Sequence, residues 1–232
     1  MTLSVLMPVY NERDTIGEIV ERVLGQPLVS QLVIVDDGST DGTERRLRHI
    51  RHKDPRIEIL THEVNRGKGA AIRTALARAT EPVCIIQDAD LEYNPADYPQ
   101  VIRPILNHTH IAVFGSRVLH PENTYPIDWF RIGSYAVTLT ANLLYGCQLT
   151  DQPTGYKAFD TAFLRSLSLG ANGFSFCAEV TALTRKSGHE IVEIPIRYSK
   201  RSVAEGKKIR WTDGVAAMWT LARCRVTSAS SS

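Results

Sequence analysis

Two carboxylates separated by one small residue, Asp88 and Asp90, follow an apolar run that begins at Val83. Alternate side chains of an extended chain point to the same side, so these carboxylates can converge on one cation. Like charges this close repel each other unless one is protonated or a cation lies between them. Carboxylate oxygens favour Mg²⁺ or Mn²⁺, usually completed by phosphates and water. We therefore expect a divalent-cation site with Glu92 as a further ligand; a solvated turn with a helix cap is the alternative.

Two adjacent carboxylates, Asp36 and Asp37, end another apolar run and precede the Gly-rich turn GSTDGT. Asp37 suits an acceptor for a ribose or a base, by analogy with acidic residues at strand ends in nucleotide sites. The alternative is that the carboxylate accepts hydrogen bonds from turn amides, and we expect this for one of the two. Lys68, in the stretch NRGKG, lies at a predicted helix start where free amides and a cation favour phosphate.

The first half of the chain alternates short apolar runs with helical patterns, which predicts an α/β fold: a mostly parallel central sheet with helices on both faces. Thr15 and Glu18 match a capping box and support the first helix. Strands are expected at Leu3–Tyr10, Leu32–Asp37, Ile57–Thr61, Val83–Asp90 and Ile111–Arg117. Helices are expected at Thr15–Leu24, Asp41–His52, Lys68–Ala79 and Tyr98–Asn107.

Every polar cluster of this half follows a predicted strand. In a parallel sheet, ligands bind outside the carboxyl ends of the strands, so these clusters are expected to form one site. They are PVYNE (8–12), DD (36–37), NRGKG (65–69), DADLE (88–92) and GSR (115–117).

The second half contains two apolar helices. Trp129–Tyr145 carries Arg131 as its only charge, and we expect most of its residues in the core, with shallow bilayer insertion as the alternative. In the helix predicted at Trp211–Ala222, large side chains repeat at four-residue spacing and are expected to pack on the domain, with an interfacial helix as the alternative. Other elements are expected at Thr161–Leu167, Ala178–Ser187 and Ile191–Tyr198, the last a strand.

Composition narrows the class of protein. The 27 basic and 25 acidic residues of the 232-residue chain leave a charge of +2, which does not indicate a nucleic-acid partner. The four cysteines form no CxxC pair and the seven histidines show no metal-ligand spacing, so neither zinc nor a disulfide framework is expected. No leader peptide is evident and no apolar run reaches ~20 residues. We expect a cytoplasmic protein with one domain at 1–226 and a disordered tail at 227–232.

The order of motifs resembles the family 2 glycosyltransferases. PVYNE, VDDGSTDGT, NRGKG, DADLE and GSR are followed by TDQPTGYKAF and KRSVAEGKK, and the resemblance runs from about Leu3 to Gly214. It is strongest to the dolichyl- and polyprenyl-phosphate mannosyl- and glucosyltransferases. The resemblance implies a GT-A fold, a nucleotide-sugar donor such as GDP-mannose or UDP-glucose, and Mg²⁺ or Mn²⁺. It also implies a nucleotide-sugar half at 1–117 and an acceptor half at 118–226.

The resemblance carries over to individual positions. The nucleoside would be held by Pro8, Tyr10, Glu12, Val35 and Asp37. Asp88, Ala89 and Asp90 would line the donor diphosphate, and Asp90 and Glu92 would bind the metal. The cationic site residues would be Arg117, Arg201 and Lys207, and Arg131 would meet the acceptor phosphate together with Arg117 and Arg201.

The resemblance implies an inverting hexosyltransferase, and the chemistry of these residues fits that reaction. A nucleoside diphosphate gains charge as the glycosidic bond breaks, and a metal ion offsets it; the transition state has oxocarbenium character. A lipid phosphate is already anionic near neutral pH, so positioning by arginines suffices and no dedicated base is assigned; Asp88 is the candidate if one exists. We expect transfer of mannose, or next glucose, to polyprenyl or dolichyl phosphate at the cytoplasmic membrane face, where a membrane protein is a further possible partner.

Three other functions fit parts of the sequence. A relative acting on a saccharide or a small molecule would share the donor site. A sugar-phosphate nucleotidylyltransferase would carry a Gly-rich loop with Arg and Lys at the N-terminus, where this chain has PVYNE. A non-catalytic sugar-nucleotide-binding module would not need both Asp88 and Asp90.

Overall fold

A computed structural model describes residues 3–123, 129–200 and 211–227. The strands are β1 (Leu3–Val9), β2 (Val29–Asp36), β3 (Ile57–Thr61), β4 (Val83–Ile86), β5 (Ala112–Ser116), β6 (Lys157–Asp160) and β7 (Val192–Pro195). The helices are α1 (Ile16–Leu24), α2 (Thr43–Ile50), α3 (Lys68–Arg78), α4 (Tyr98–Leu106), α5 (Trp129–Tyr145), α6 (Thr161–Ser166), α7 (Phe176–Lys186) and α8 (Trp211–Val226). A 3₁₀ turn at Pro95–Asp97 precedes α4.

The seven strands form one sheet in the order β3-β2-β1-β4-β6-β5-β7. All neighbouring pairs are parallel except those of β6, which runs antiparallel to β4 and β5. Alternate strand residues enter two apolar clusters, one with α1, α2 and α4 and the other with α3, α6 and α7. The prediction of a mostly parallel sheet covered on both faces is confirmed, and strands from both predicted halves share it.

The strand β6 is missing from the sequence-based prediction because a charged residue interrupts its apolar pattern. Lys157 is completely buried, its Nζ donates to the carbonyl oxygen of Gln152 at 2.8 Å, and the same atom lies 3.4 Å from the ring centroid of Phe114. Burial lowers the pKa of the Lys157 ammonium to about 8. A lysine whose ammonium is satisfied by a carbonyl and an aromatic face can occupy a central strand.

The capping box predicted for α1 is wrong. No side chain of Thr15 caps the helix; its hydroxyl instead donates to Oε2 of Glu12 at 2.7 Å. Glu18 pairs with Arg22 one turn further along the exposed face. Thr15 therefore holds Glu12 in the loop between β1 and α1, and that loop belongs to the predicted site.

Most residues of α5 were expected in the core, and the large side chains of α8 were expected to pack on the domain; both expectations are wrong. On α8, Trp211, Val215 and Trp219 are 80%, 52% and 69% exposed. On α5 the large side chains at 129, 132, 135, 139 and 143 are exposed as well. The two helices pack on each other and on α7 mainly through alanines and a few larger residues, which leaves the bulky side chains outside. The tail residues 228–232 lie outside the described part of the chain.

Candidate active site

The loops after β1 and β2 are joined at the carboxyl edge of the sheet. The amide of Asn11 donates to Oγ of Ser39 at 2.9 Å, and the amide of Thr40 donates to Oδ1 of Asn11 at 2.8 Å. The amide of Glu12 donates to Oγ1 of Thr43 at 2.9 Å. Asn11 adopts a left-handed backbone with φ of 51°, a conformation that asparagine tolerates better than most residues. The motifs PVYNE and GSTDGT therefore form a single wall of the site.

Asp37 is turned into the protein and holds the next loop. Its Oδ1 lies 2.6 Å from Nδ1 of His62 and accepts the amide of Arg66 at 2.9 Å. Its Oδ2 accepts the amide of Gly67 at 2.7 Å. Asp36 likewise accepts an amide of its own turn, at 3.1 Å. Turn bonding was expected for one of the two carboxylates and is observed for Asp36, whereas Asp37 accepts amides of the loop after β3. Contact of Asp37 with a ribose stays a prediction.

Lys68 forms an ion pair with Asp88. Its Nζ lies 2.5 Å from Oδ1 of Asp88, and the two side chains are 15% and 17% exposed. Burial by itself lowers the pKa of the Lys68 ammonium, but the surrounding acidic groups, Asp88 first among them, together outweigh burial and the pKa lies above its ordinary value. Lys68, the first residue of α3, is thereby bound to Asp88 in the segment DADLE that follows β4.

The start of α3 is covered by another part of the chain. The amide of Ala70 donates to the carbonyl oxygen of Asn172 at 3.1 Å, and a Cβ added to Gly67 would lie 2.5 Å from that oxygen. Glu179 accepts the amides of Gly170 and Ala171 and so fixes the covering loop. One amide of the first turn, that of Ala70, is therefore already bonded to a carbonyl oxygen, and phosphate binding at Lys68 stays a prediction.

The loop of TDQPTGYKAF reaches Asp88 from the opposite side. A Cβ added to Gly155 would lie 2.3 Å from Oδ2 of Asp88 and 3.0 Å from Cε2 of Tyr93. The amide of Gly155 donates to the hydroxyl of Tyr93 at 2.8 Å. Ala89 is buried in the core next to them. A side chain at 155 would displace the Asp88 carboxylate, whose Oδ2 faces this glycine and whose Oδ1 binds Lys68.

Asp90 and Glu92 belong to one tight turn. The amide of Glu92 donates to Oδ1 of Asp90 at 3.2 Å, and Leu91 between them has a φ of 63°, which is rare for a bulky residue. Oε2 of Glu92 accepts a hydrogen bond from the Tyr198 hydroxyl at 2.9 Å. Within the described residues no three acidic, His or Cys side chains could hold a metal together. Two carboxylates suit Mg²⁺ or Mn²⁺ where diphosphate oxygens complete the coordination.

Arg117 is held in a fixed plane by Asp151. Its Nε and Nη2 donate to the two carboxylate oxygens at 2.7 Å each, and its amide donates at 2.9 Å. The guanidinium carbon lies 5.1 Å from the ring centroid of Tyr198. Asp151 lies within TDQPTGYKAF, and the sequence offered no reason to assign it a role; its contact with Arg117 joins positions 34 apart in the chain.

The remaining predicted residues divide into four groups. Pro8 and Tyr10 are half-buried at the end of β1, and Glu12 is buried. Val35 pairs with Pro8 in the β1–β2 ladder and has no exposed surface, so its predicted nucleoside contact is not supported. Arg131 lies half-buried in the first turn of α5. Arg201 and Lys207 lie outside the described residues.

Comparison with known proteins identifies the family. Residues 4–168 match the model for "Glycosyl transferase family 2". A UDP-N-acetylglucosamine–dolichyl-phosphate N-acetylglucosaminyltransferase of Methanococcus voltae is 29% identical, covering 89% of this chain and 90% of the relative. An undecaprenyl-phosphate mannosyltransferase of Micrococcus luteus is 29% identical, with 97% and 99% covered.

The fold has a counterpart among solved structures. Glucosyl-3-phosphoglycerate synthase from Mycobacterium tuberculosis, crystallised with Mn²⁺, UDP and phosphoglyceric acid, superposes with a TM-score of 0.75 at 22% identity, covering 99% of this chain and 80% of the other. The predicted GT-A fold is confirmed. The family match, together with the sheet and its edge of polar loops, shows that the chain belongs to the family 2 glycosyltransferases.

Proposed function

We propose that this glycosyltransferase moves a hexose from a nucleotide-sugar donor to polyprenyl or dolichyl phosphate, with inversion at the anomeric carbon. The observation that carries the proposal is end-to-end similarity to relatives named for a polyprenyl-type phosphate acceptor. The sugars in those names differ, whereas the class of acceptor is shared. GDP-mannose is the preferred donor of the proposal and UDP-glucose the next.

The donor diphosphate would lie over the turn from Asp88 to Asp90. Asp90, with Glu92 and phosphate oxygens, would hold Mg²⁺ or Mn²⁺, and the ion would offset the charge of the leaving diphosphate. The Lys68–Asp88 pair presents a cation and an anion side by side at this edge. Because the Asp88 carboxylate already pairs with the Lys68 ammonium, we assign it no proton transfer and include no dedicated base.

The acceptor phosphate would be positioned by Arg117, with Arg131 and Arg201 as further cations. A guanidinium locked by a bidentate carboxylate keeps its plane and loses little entropy when it binds an anion. Asp151 supplies this lock at Arg117. Orientation of an anionic nucleophile against the anomeric carbon then provides the main catalytic contribution.

The exposed faces of α5 and α8 would contact the cytoplasmic face of the membrane that contains the lipid acceptor. Several large apolar side chains at helical spacing are exposed together on these helices, and they form a larger apolar patch than a protein surface usually exposes. Arg223 and Arg225 are exposed near the end of α8, where they suit anionic lipids. Among the helices of the described residues, none combines the length and the hydropathy that a transmembrane span requires.

A product assay tests the proposal. The protein is incubated with Mn²⁺, undecaprenyl phosphate in detergent, and radiolabelled GDP-mannose or UDP-glucose. We expect label that extracts into organic solvent and is released by mild acid, and Asp90→Ala should abolish it. Label only in water-soluble products would instead favour a saccharide or small-molecule acceptor. No transfer of either sugar to any lipid phosphate would contradict the proposal.

A further inference from the structure

The side chain of Tyr198 contacts one residue of the predicted metal site and one residue of the predicted acceptor-phosphate site. The hydroxyl of Tyr198 donates to Oε2 of Glu92 at 2.9 Å, and its ring faces the guanidinium of Arg117 at 5.1 Å. Glu92 is the predicted metal ligand, and Arg117 is the predicted phosphate-binding cation. Tyr198 therefore touches one residue from the donor side of the site and one from the acceptor side.

The backbone around Tyr198 is held by the same two neighbours. Its amide donates to Oδ1 of Asn123 at 3.0 Å, and Nδ2 of Asn123 donates to the carbonyl of Arg117 at 2.8 Å. The amide of Ser199 donates to the carbonyl oxygen of Glu92 at 2.9 Å. These bonds hold the main chain at and after Tyr198, and the bond to Glu92 holds its hydroxyl.

The chemistry of the contact suits a lasting hydrogen bond. A phenol hydroxyl is the hydrogen-bond donor and a carboxylate oxygen the acceptor, and their separation of 2.9 Å is that of an ordinary hydrogen bond. The ring also packs against Tyr93, with centroids 5.5 Å apart, and Tyr93 receives the amide of Gly155 beside Asp88. Tyr198 and Tyr93 therefore connect Glu92 to the residues around Asp88, at the two ends of the segment DADLE.

We propose that Tyr198 is a positioning residue, which orients the Glu92 carboxylate toward the cation and keeps the Arg117 guanidinium in place beside it. The inference rests on the metal site of the proposed function. Partners that orient a metal-binding carboxylate typically change metal affinity by about 10- to 100-fold when they are removed. Tyr198 would in this way link binding of the metal ion to the placement of Arg117, the side chain proposed to bind the acceptor phosphate.

The test measures Mn²⁺ binding by the whole protein in the presence of UDP or GDP. The electron paramagnetic resonance signal of free Mn²⁺ reports how much of the ion is bound. Tyr198→Phe removes the hydroxyl and keeps the ring, and we expect about 10-fold weaker Mn²⁺ binding. Tyr145→Phe, which removes a buried hydroxyl that donates to the carbonyl oxygen of Leu221 at 2.7 Å, is the matched control and should bind as the wild type does.

A double-variant comparison separates orientation of Glu92 from a general structural effect. Glu92→Gln should weaken Mn²⁺ binding, and adding Tyr198→Phe to it should weaken binding no further, because the carboxylate to be oriented is gone. Equal Mn²⁺ affinity of Tyr198→Phe and wild type, or an equal loss in both backgrounds, would overturn the inference alone. Failure of the wild type to bind Mn²⁺ with either nucleotide would overturn it together with the proposed metal site.

Discussion

The ammonium of Lys68 lies 2.5 Å from a carboxylate oxygen of Asp88, so the start of α3 and the end of β4 meet in one ion pair. The two residues are far apart in the chain, and each was expected to face the donor diphosphate by itself. Their pairing means that an arriving phosphate meets a neutralised pair rather than a separate cation and anion. Binding of the diphosphate and its metal must therefore compete with, or rearrange, this contact.

Replacement of Lys68 by Met should destabilise the protein. It leaves a mostly buried carboxylate at Asp88 without its cation, which we expect to lower the free energy of unfolding by about 2–3 kcal/mol. Urea unfolding measures this, and the double variant Lys68→Met/Asp88→Asn should recover part of the loss. An unchanged urea midpoint in the single variant would show that the pair contributes nothing to stability.

The same pair should be insensitive to pH in the neutral range. The pKa of Lys68 is raised above 10.5 in the folded protein, so its contribution is fully present below that value and is lost as pH rises through the folded pKa. The stability difference between wild type and Lys68→Met should therefore stay constant between about pH 6 and 9. A difference that shrinks steadily over this interval would contradict the assignment.

Addition of one methyl group at Gly155 should damage catalysis more than folding. The new Cβ would lie 2.3 Å from Oδ2 of Asp88, so the carboxylate must move away from its place beside Lys68. A displacement of this size near reacting groups costs up to about 100-fold in rate. Transfer rates of Gly155→Ala measure it. Gly17→Ala, a helix position with no atom within 4 Å of the added Cβ, is the control and should retain activity.

Lys157 should make stability rise with pH in mildly alkaline solution. Its pKa falls from 10.5 to about 8 on folding, so between these values the unfolded chain binds a proton that the folded chain does not. Across this interval the free energy of unfolding of the wild type should rise by on the order of 3 kcal/mol relative to that of Lys157→Met. Urea unfolding of both proteins at several pH values checks this, and a constant difference would show that the ammonium is not perturbed by burial.

Removal of two exposed tryptophans should weaken membrane binding. Trp211→Ser/Trp219→Ser deletes the largest apolar groups of the α8 outer face, and we expect at least ~10-fold weaker cosedimentation with vesicles containing anionic lipid. Leu106→Ser, at an exposed apolar residue of α4, is the control and should bind normally. Equal binding of the double variant and wild type would contradict a membrane-contacting role for this face.

The sequence by itself determined the parallel sheet and the edge at which the site lies. Continuous apolar runs bounded by Gly-rich turns identify buried strands without tertiary information, and four of the first five were located to within a few residues. The helix α5 begins at Trp129 and ends at Tyr145, as expected. Because parallel strands place their carboxyl ends together, motifs scattered along the first half were correctly assigned to one edge.

Only the tertiary structure decided what each polar side chain contacts. Asp37 turns inward to amides of a distant loop, Lys68 binds Asp88, and Asp151 holds Arg117. Periodicity along the chain reports whether a position is apolar, but not which distant residue will neutralise a charge there. For the same reason the burial of Lys157 and the exposure of Trp219 were not foreseeable: both depend on neighbours that the fold, and not the local sequence, brings together.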